Sequence, residues 1–165
     1  MKLILLGNSG SGKTTLSKEI ITREPAARLS LDKVAFNSNV ERRKLEESIA
    51  NVVQFIASYD SWIIEGCYAD IIEAVVKECE ELIFLNPGVN ACVSHCLSRP
   101  WEPEKFVSRR EQDENLENLI SWVRLYETRT DEYGLIRHKA LYESFNGKKQ
   151  EFTEVEQYKT YWRIR

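Results

Sequence analysis

Hydrophobic and polar positions fall in blocks along this chain. Short apolar runs at residues 3–6 (LILL), 62–64 (WII) and 82–85 (LIFL) predict strands buried on both faces, as in a parallel sheet covered by helices. Between them, residues 39–59 carry Leu45, Ile49, Val52, Val53 and Ile56 at helical spacing. LSKEIITRE after the first run, residues 68–80 and residues 89–99 also read as helices. ARLSLD (27–32) predicts a second strand ending at Asp32, SWIIEG (61–66) a third, and ELIFLN (81–86) a fourth that Pro87 and Gly88 stop. Such alternation implies right-handed βαβ units, hence an α/β three-layer fold of about five parallel strands flanked by helices, in a single domain over residues 1–165. Residues 99–115, with two prolines and three arginines, break the alternation. Helices over 114–131 and 133–145, a strand at 148–154 and a helix at 155–163 complete the expectation.

Composition narrows the classes without choosing one. A chain of 165 residues, 42% hydrophobic and 30% charged, suits a soluble globular domain with a substantial core. No apolar run approaches the roughly 20 residues of a membrane span, and LILL is too short for a signal-peptide core. Lys+Arg 23 against Asp+Glu 26 gives net charge −3, so no basic field favours direct nucleic-acid binding. The four cysteines Cys67, Cys79, Cys92 and Cys96 form no CxxC pair, which points to a reduced, cytoplasmic setting.

Candidate chemistry begins directly after the first strand. Residues 7–14 read G-x-x-x-x-G-K-T, a pattern whose glycines bend the backbone so that amide N–H groups cradle phosphates at a helix N-terminus. Gly7, Asn8, Ser9, Gly10, Ser11, Gly12, Lys13, Thr14 and Thr15 are therefore the expected nucleotide-binding residues. Lys13 would reach the β- and γ-phosphates of ATP, and the Thr14 hydroxyl would ligate Mg²⁺. Two acids close neighbouring strands. Glu65 ends an apolar strand, the Walker B arrangement, and is expected to hold Mg²⁺ with Thr14. Asp32 ends the second strand, where a carboxylate can take the proton of an acceptor hydroxyl or orient that acceptor. Both positions also suit an ordinary helix cap or turn acid.

Weaker clusters have plainer readings. Cys92 and Cys96 share one helix face with His95 turned from it, and two sulfurs fall short of a zinc site, so they read as small buried hydrophobes. Trp101, Trp122, Tyr126 and Tyr133 could stack on a base, or pack a core at helical spacing. NGKK at 146–149 lacks the Asp of a guanine-reading motif.

GNSGSGKTT (7–15), LD (31–32), WIIEGCY (62–68) and LIFLN (82–86) together resemble the adenylate-kinase-related P-loop kinases, most closely the small branch called DNA topology modulation proteins. The resemblance spans the first half of the chain. It implies that the strand ending at Glu65 lies beside the P-loop strand. A substrate pocket near Asp32, Gly66 and Tyr68 and an arginine-bearing lid after the fourth helix are implied as well. Departures are also visible: Asn86 stands where relatives often carry Asp, and the adenylate kinase DGFPR run and the shikimate kinase glycine triplet and D-x-D are missing.

The combined expectation is transfer of the γ-phosphoryl of ATP to a small nucleotide, nucleoside or metabolite. Lys13, Asp32 and one or more of Arg99, Arg109 and Arg110, carried on a lid within 99–115, would be catalytic, with Arg124 and Arg129 behind them. A nucleotide-binding regulator or slow ATPase is the alternative. Monomer and homodimer both remain open.

Overall fold

The computed structural model describes residues 1–101, 103 and 107–164, and side chains through residue 161. Five strands form one sheet: β1 (Lys2–Gly7), β2 (Ala27–Ser30), β3 (Trp62–Gly66), β4 (Glu81–Leu85) and β5 (Lys148–Phe152). All pair in parallel, in the order β2-β3-β1-β4-β5. The three-layer α/β fold expected from the block pattern is the one observed.

Alternate residues of the central strands feed two cores. Ile4, Leu6, Trp62, Ile64, Leu82 and Phe84 face one side. There they pack on α2 (Asp32–Ala35), α3 (Leu45–Ser58), α4 (Ala69–Val75) and α7 (Leu135–Ser144). Leu3, Leu5, Ile63, Ile83 and Leu85 face the other side, against Leu16 and Ile20 of α1 (Lys13–Arg23) and Tyr158 of α8 (Val155–Ile164). Strands wet on neither face explain the unbroken apolar runs. The central strand β1 has Leu3 through Leu6 all at 0% exposure. Beyond the sheet, α5 (Val89–Leu97) packs on α6 (Arg109–Arg124) through Cys92, Val93, Cys96 and Val123.

Several element ends differ from the expectation, some for an identifiable local reason. The second strand stops at Ser30, and Asp32 opens the short α2 because the Leu31 carbonyl accepts from Val34 and Ala35 N–H groups. The helix expected over 39–59 begins only at Leu45. Before it, the Asn37 side-chain carbonyl accepts from the N–H groups of Asn39 and Glu41, and Phe36 bridges Arg42. The helix expected from 114 already begins at Arg109, because Ser108 caps it by accepting from Glu111 N–H at 3.1 Å. It ends at Arg124, where a single 3₁₀ turn over Leu125–Glu127 takes over. Of the segment expected to be a lid, residues 102 and 104–106 lie outside the described residues.

Candidate active site

The loop between β1 and α1 takes the shape its glycines allow. Gly10 and Gly12 have φ of +79° and +98°, a left-handed region costly for any residue with a Cβ. The Lys13 ammonium is turned onto the loop, donating to the Gly7 carbonyl at 2.9 Å and the Asn8 carbonyl at 2.7 Å. Two contacts seat the loop on the helices after β4. The Asn8 amide donates to the Val123 carbonyl at 3.2 Å, and His95 Nδ1 donates to the Gly10 carbonyl at 2.7 Å. The sequence alone assigns His95 no role; its contact with Gly10 depends on how α5 packs, which no spacing encodes.

Register delivers Glu65 to the loop. Leu5 pairs with Glu65 and Leu6 with Gly66, so the strand carrying the acid does lie beside the P-loop strand. Its side chain falls on the face of α1, where the Thr14 hydroxyl lies 2.9 and 3.1 Å from its two oxygens. Glu65 is only 3% exposed, and a buried carboxylate needs compensation. Arg28 of β2 supplies it by an ion pair to Glu65 Oε1. Arg28 is itself held by Nε donating to Ser17 Oγ at 2.8 Å. The linear sequence conceals this arginine, since only the pairing of β2 with β3 brings residue 28 beside residue 65.

On the other side of the sheet end stands Asp32, whose Oδ1 accepts from the Tyr68 hydroxyl at 2.6 Å. Burial, then the neighbouring Cys67 and Asp32, pushes the Tyr68 hydroxyl far above its ordinary range, so it stays protonated and donates. Gly66 lies under the same corner, where a Cβ would stand 2.8 Å from the Leu31 side chain. Asp32, Gly66 and Tyr68 thus share one corner of the carboxyl edge of the sheet, the crevice where open α/β sheets bind ligands.

Around Tyr68 gathers a group of aromatic and basic residues. The Arg42 guanidinium lies 4.8 Å from the Tyr68 ring, and Tyr133 packs edge-on against Tyr68 at 5.5 Å. Arg129 covers the faces of Trp122 at 4.4 Å and Tyr133 at 5.2 Å. Trp122 and Tyr133 therefore pack with cations, while Tyr126 is buried and bonds His138.

Among the described residues, no hydrogen bond or ion pair is seen between the loop and Arg99, Arg109 or Arg110. Arg99 lines a cavity of about 390 Å³ between α5 and α6 with Cys96, Asn115, Leu119 and Trp122. Arg110 pairs with Glu114 on the outside of α6, where its side chain is 87% exposed. Arg109 opens the same helix and is exposed. Cys92 and Cys96 are buried, and no group of His, Cys, Asp and Glu suited to a metal cluster occurs among the described residues. No helix among the described residues is long and apolar enough to cross a membrane. Asn86 donates to Glu151 at 2.9 Å.

Comparison with known proteins agrees with the fold. No family model matches the chain, and no curated protein matches it in sequence. Among solved structures, it is similar to deoxyadenosine kinase from M. mycoides with bound dATP, at 16% identity and TM-score 0.52, covering 99% of this chain and 96% of that one. It is also similar to shikimate kinase from Bacteroides thetaiotaomicron, at 15% identity and TM-score 0.56, covering 98% and 94%. The chain has the fold of the P-loop kinases.

Proposed function

We propose that this chain is an ATP-dependent phosphotransferase acting on a small hydroxyl-bearing acceptor. The observation that carries the reading is the placement of two acids on either side of one sheet end. Glu65 bonds Thr14 at the loop, and Asp32 bonds Tyr68 at a separate corner. Nucleotide hydrolysis uses the first; transfer to a hydroxyl is served by a second carboxylate at the acceptor as well. In this reading, the acceptor oxygen forms a bond to the γ-phosphorus, the bond to ADP breaks, and the hydroxyl proton passes to Asp32. Lys13 and the loop N–H groups stabilise charge on the phosphates. Hard oxygens of Thr14 and Glu65 beside the loop suit Mg²⁺, which when bound supplies charge neutralisation at the phosphates. The resemblance of residues 7–15, 31–32, 62–68 and 82–86 to the DNA topology modulation branch supports a small kinase of the adenylate-kinase-related group.

The test is ADP formation from Mg-ATP with and without nucleosides, monophosphates, sugars and hydroxy acids. An acceptor that raises ADP well above hydrolysis, with a phosphorylated product, is the expected result. Lys13→Ala should lower that rate by at least about 10²-fold while the circular dichroism spectrum stays unchanged. Hydrolysis indifferent to every acceptor would instead favour a regulator or slow ATPase.

A further inference from the structure

Glu65 is a buried carboxylate with a cation already beside it. Arg28 Nη2 pairs with Glu65 Oε1, while Arg28 Nε donates to Ser17 Oγ at 2.8 Å. Ser17 Oγ in turn donates to the Thr14 carbonyl at 2.9 Å, and the Thr14 hydroxyl lies 2.9 and 3.1 Å from the two Glu65 oxygens. These four residues close a ring that ties the edge strand β2 to the first turn of α1 and the end of β3. Ser17 and Glu65 are both buried, so the guanidinium cannot turn away without stranding two polar partners.

Charge decides what this ring does. The Glu65 carboxylate and the Arg28 guanidinium cancel, −1 against +1, and the Lys13 ammonium is turned onto the neighbouring loop. Among the described residues, no group of three His, Cys, Asp or Glu is placed to hold a metal ion. A free divalent cation is therefore offered one carboxylate, already paired, and one neutral hydroxyl. It also meets repulsion from Arg28 at close quarters, where burial weakens screening. A nucleotide changes that balance, because its phosphates bring several negative charges of their own.

We infer that Arg28 is the built-in counter-ion of Glu65, which closes the site to a free divalent cation and admits the metal only with the phosphates of a nucleotide. Arg28 acts through Glu65 rather than on the transferred group, and it sets the coupling between metal and nucleotide. Its role rests on the proposed reading of Thr14 and Glu65 as the metal's partners.

Binding tests this without turnover. Mn²⁺, a spectroscopic substitute for Mg²⁺, is titrated into nucleotide-free protein and followed by electron paramagnetic resonance. Wild type should take up none at millimolar concentration. Arg28→Met and Arg28→Gln should gain a site at least about 10-fold tighter, and Mn²⁺ should raise their melting temperatures while leaving that of wild type unchanged. Arg28→Lys keeps the charge without the fork, so it should stay closed to metal even where it loses stability. Adding Glu65→Gln to Arg28→Met should erase the gained site. The affinity of a fluorescent ADP analogue is then measured with Mg²⁺ and with a chelator. The ratio of the two should widen about 10-fold in the neutral variants, since a bare Glu65 attracts the metal and repels metal-free phosphates. If one neutral variant fails to fold, the other decides, and tight Mn²⁺ uptake by nucleotide-free wild type overturns the inference by itself. Arg28→Lys gaining the same site as Arg28→Met, or an equal response to Mg²⁺ in wild type and the folded neutral variants, overturns it as well and leaves the proposed function intact. No nucleotide binding by wild type in either condition overturns the loop reading instead, while a metal site gained on removing Arg28 upholds the counter-ion.

Discussion

Glu65 and Asp32 differ in what holds them, and that difference separates structural from chemical effects at the scale of single residues. Both oxygens of Glu65 lie within hydrogen-bonding distance of Thr14, and Oε1 also meets Arg28. Replacing Arg28 by Met leaves a buried carboxylate with a hydroxyl as its remaining side-chain partner. The expected cost is roughly 3 kcal/mol, the low end for breaking a buried pair because Arg28 is itself partly exposed. Chemical denaturation measures it, and a loss below about 0.5 kcal/mol would show that the pair is solvated. For Asp32 the expectation reverses. Asn keeps the oxygen that accepts from Tyr68 at 2.6 Å, so Asp32→Asn should melt close to wild type and bind ATP within a few-fold. Acceptor-dependent transfer should fall by about 10²–10⁴, the usual worth of a positioned general base. A folded Asp32→Asn protein that transfers normally makes the acid a bystander.

At the scale of elements, what the sequence conveys depends on how local the determinant is. The loop over residues 7–14 and its flanking strand and helix were legible because glycine, lysine and threonine act through backbone geometry next to them in sequence. The partners of that loop were not. Arg28 meets Glu65 only through the β2–β3 register, and His95 meets Gly10 only because α5 packs over the loop. The early start of α6 had a signal, Ser108 three residues before Glu111, which the proline-punctuated segment before it obscured. The helix expected from residue 39 gave way because Asn37 builds a turn whose side chain competes for backbone N–H groups. That turn carries Val40 at φ +62°, 80% exposed. A β-branched residue there is strained and packs little, so Val40→Gly should raise stability. A gain of about 1 kcal/mol is expected, read as a higher melting temperature. An unchanged or lower value would mean that the added freedom of glycine in the unfolded chain cancels the relief.

For the whole molecule, one buried histidine ties the second half of the chain to the carboxyl edge of the sheet. His138 of α7 is 0% exposed. Its Nε2 faces the carbonyls of Cys67 and Glu132 at 2.9 and 3.1 Å, which can only accept, so Nε2 carries the proton. Nδ1 then accepts from the Tyr126 hydroxyl at 2.9 Å. The ring is thus satisfied as a neutral tautomer that joins α7, the turn after α6 and the residue next to Tyr68. Burial, the largest cause, opposes a charge there and lowers the pKa from 6.5 to about 4. Because the folded value lies below the unfolded one, the neutral ring's contribution is fully present above pH 6.5. It is lost progressively as the unfolded chain gains its proton down to about pH 4. Over that window the loss should total roughly 3 kcal/mol. His138→Gln can keep a donor to the carbonyls yet has no proton to gain, so it should be less stable at pH 7.5 and show a shallower loss between pH 6.5 and 4. Urea denaturation of both proteins at half-unit pH steps gives the two slopes. Parallel slopes would assign the acid sensitivity to the carboxylates, and a difference confined to this window would assign it to the joint beneath Tyr68.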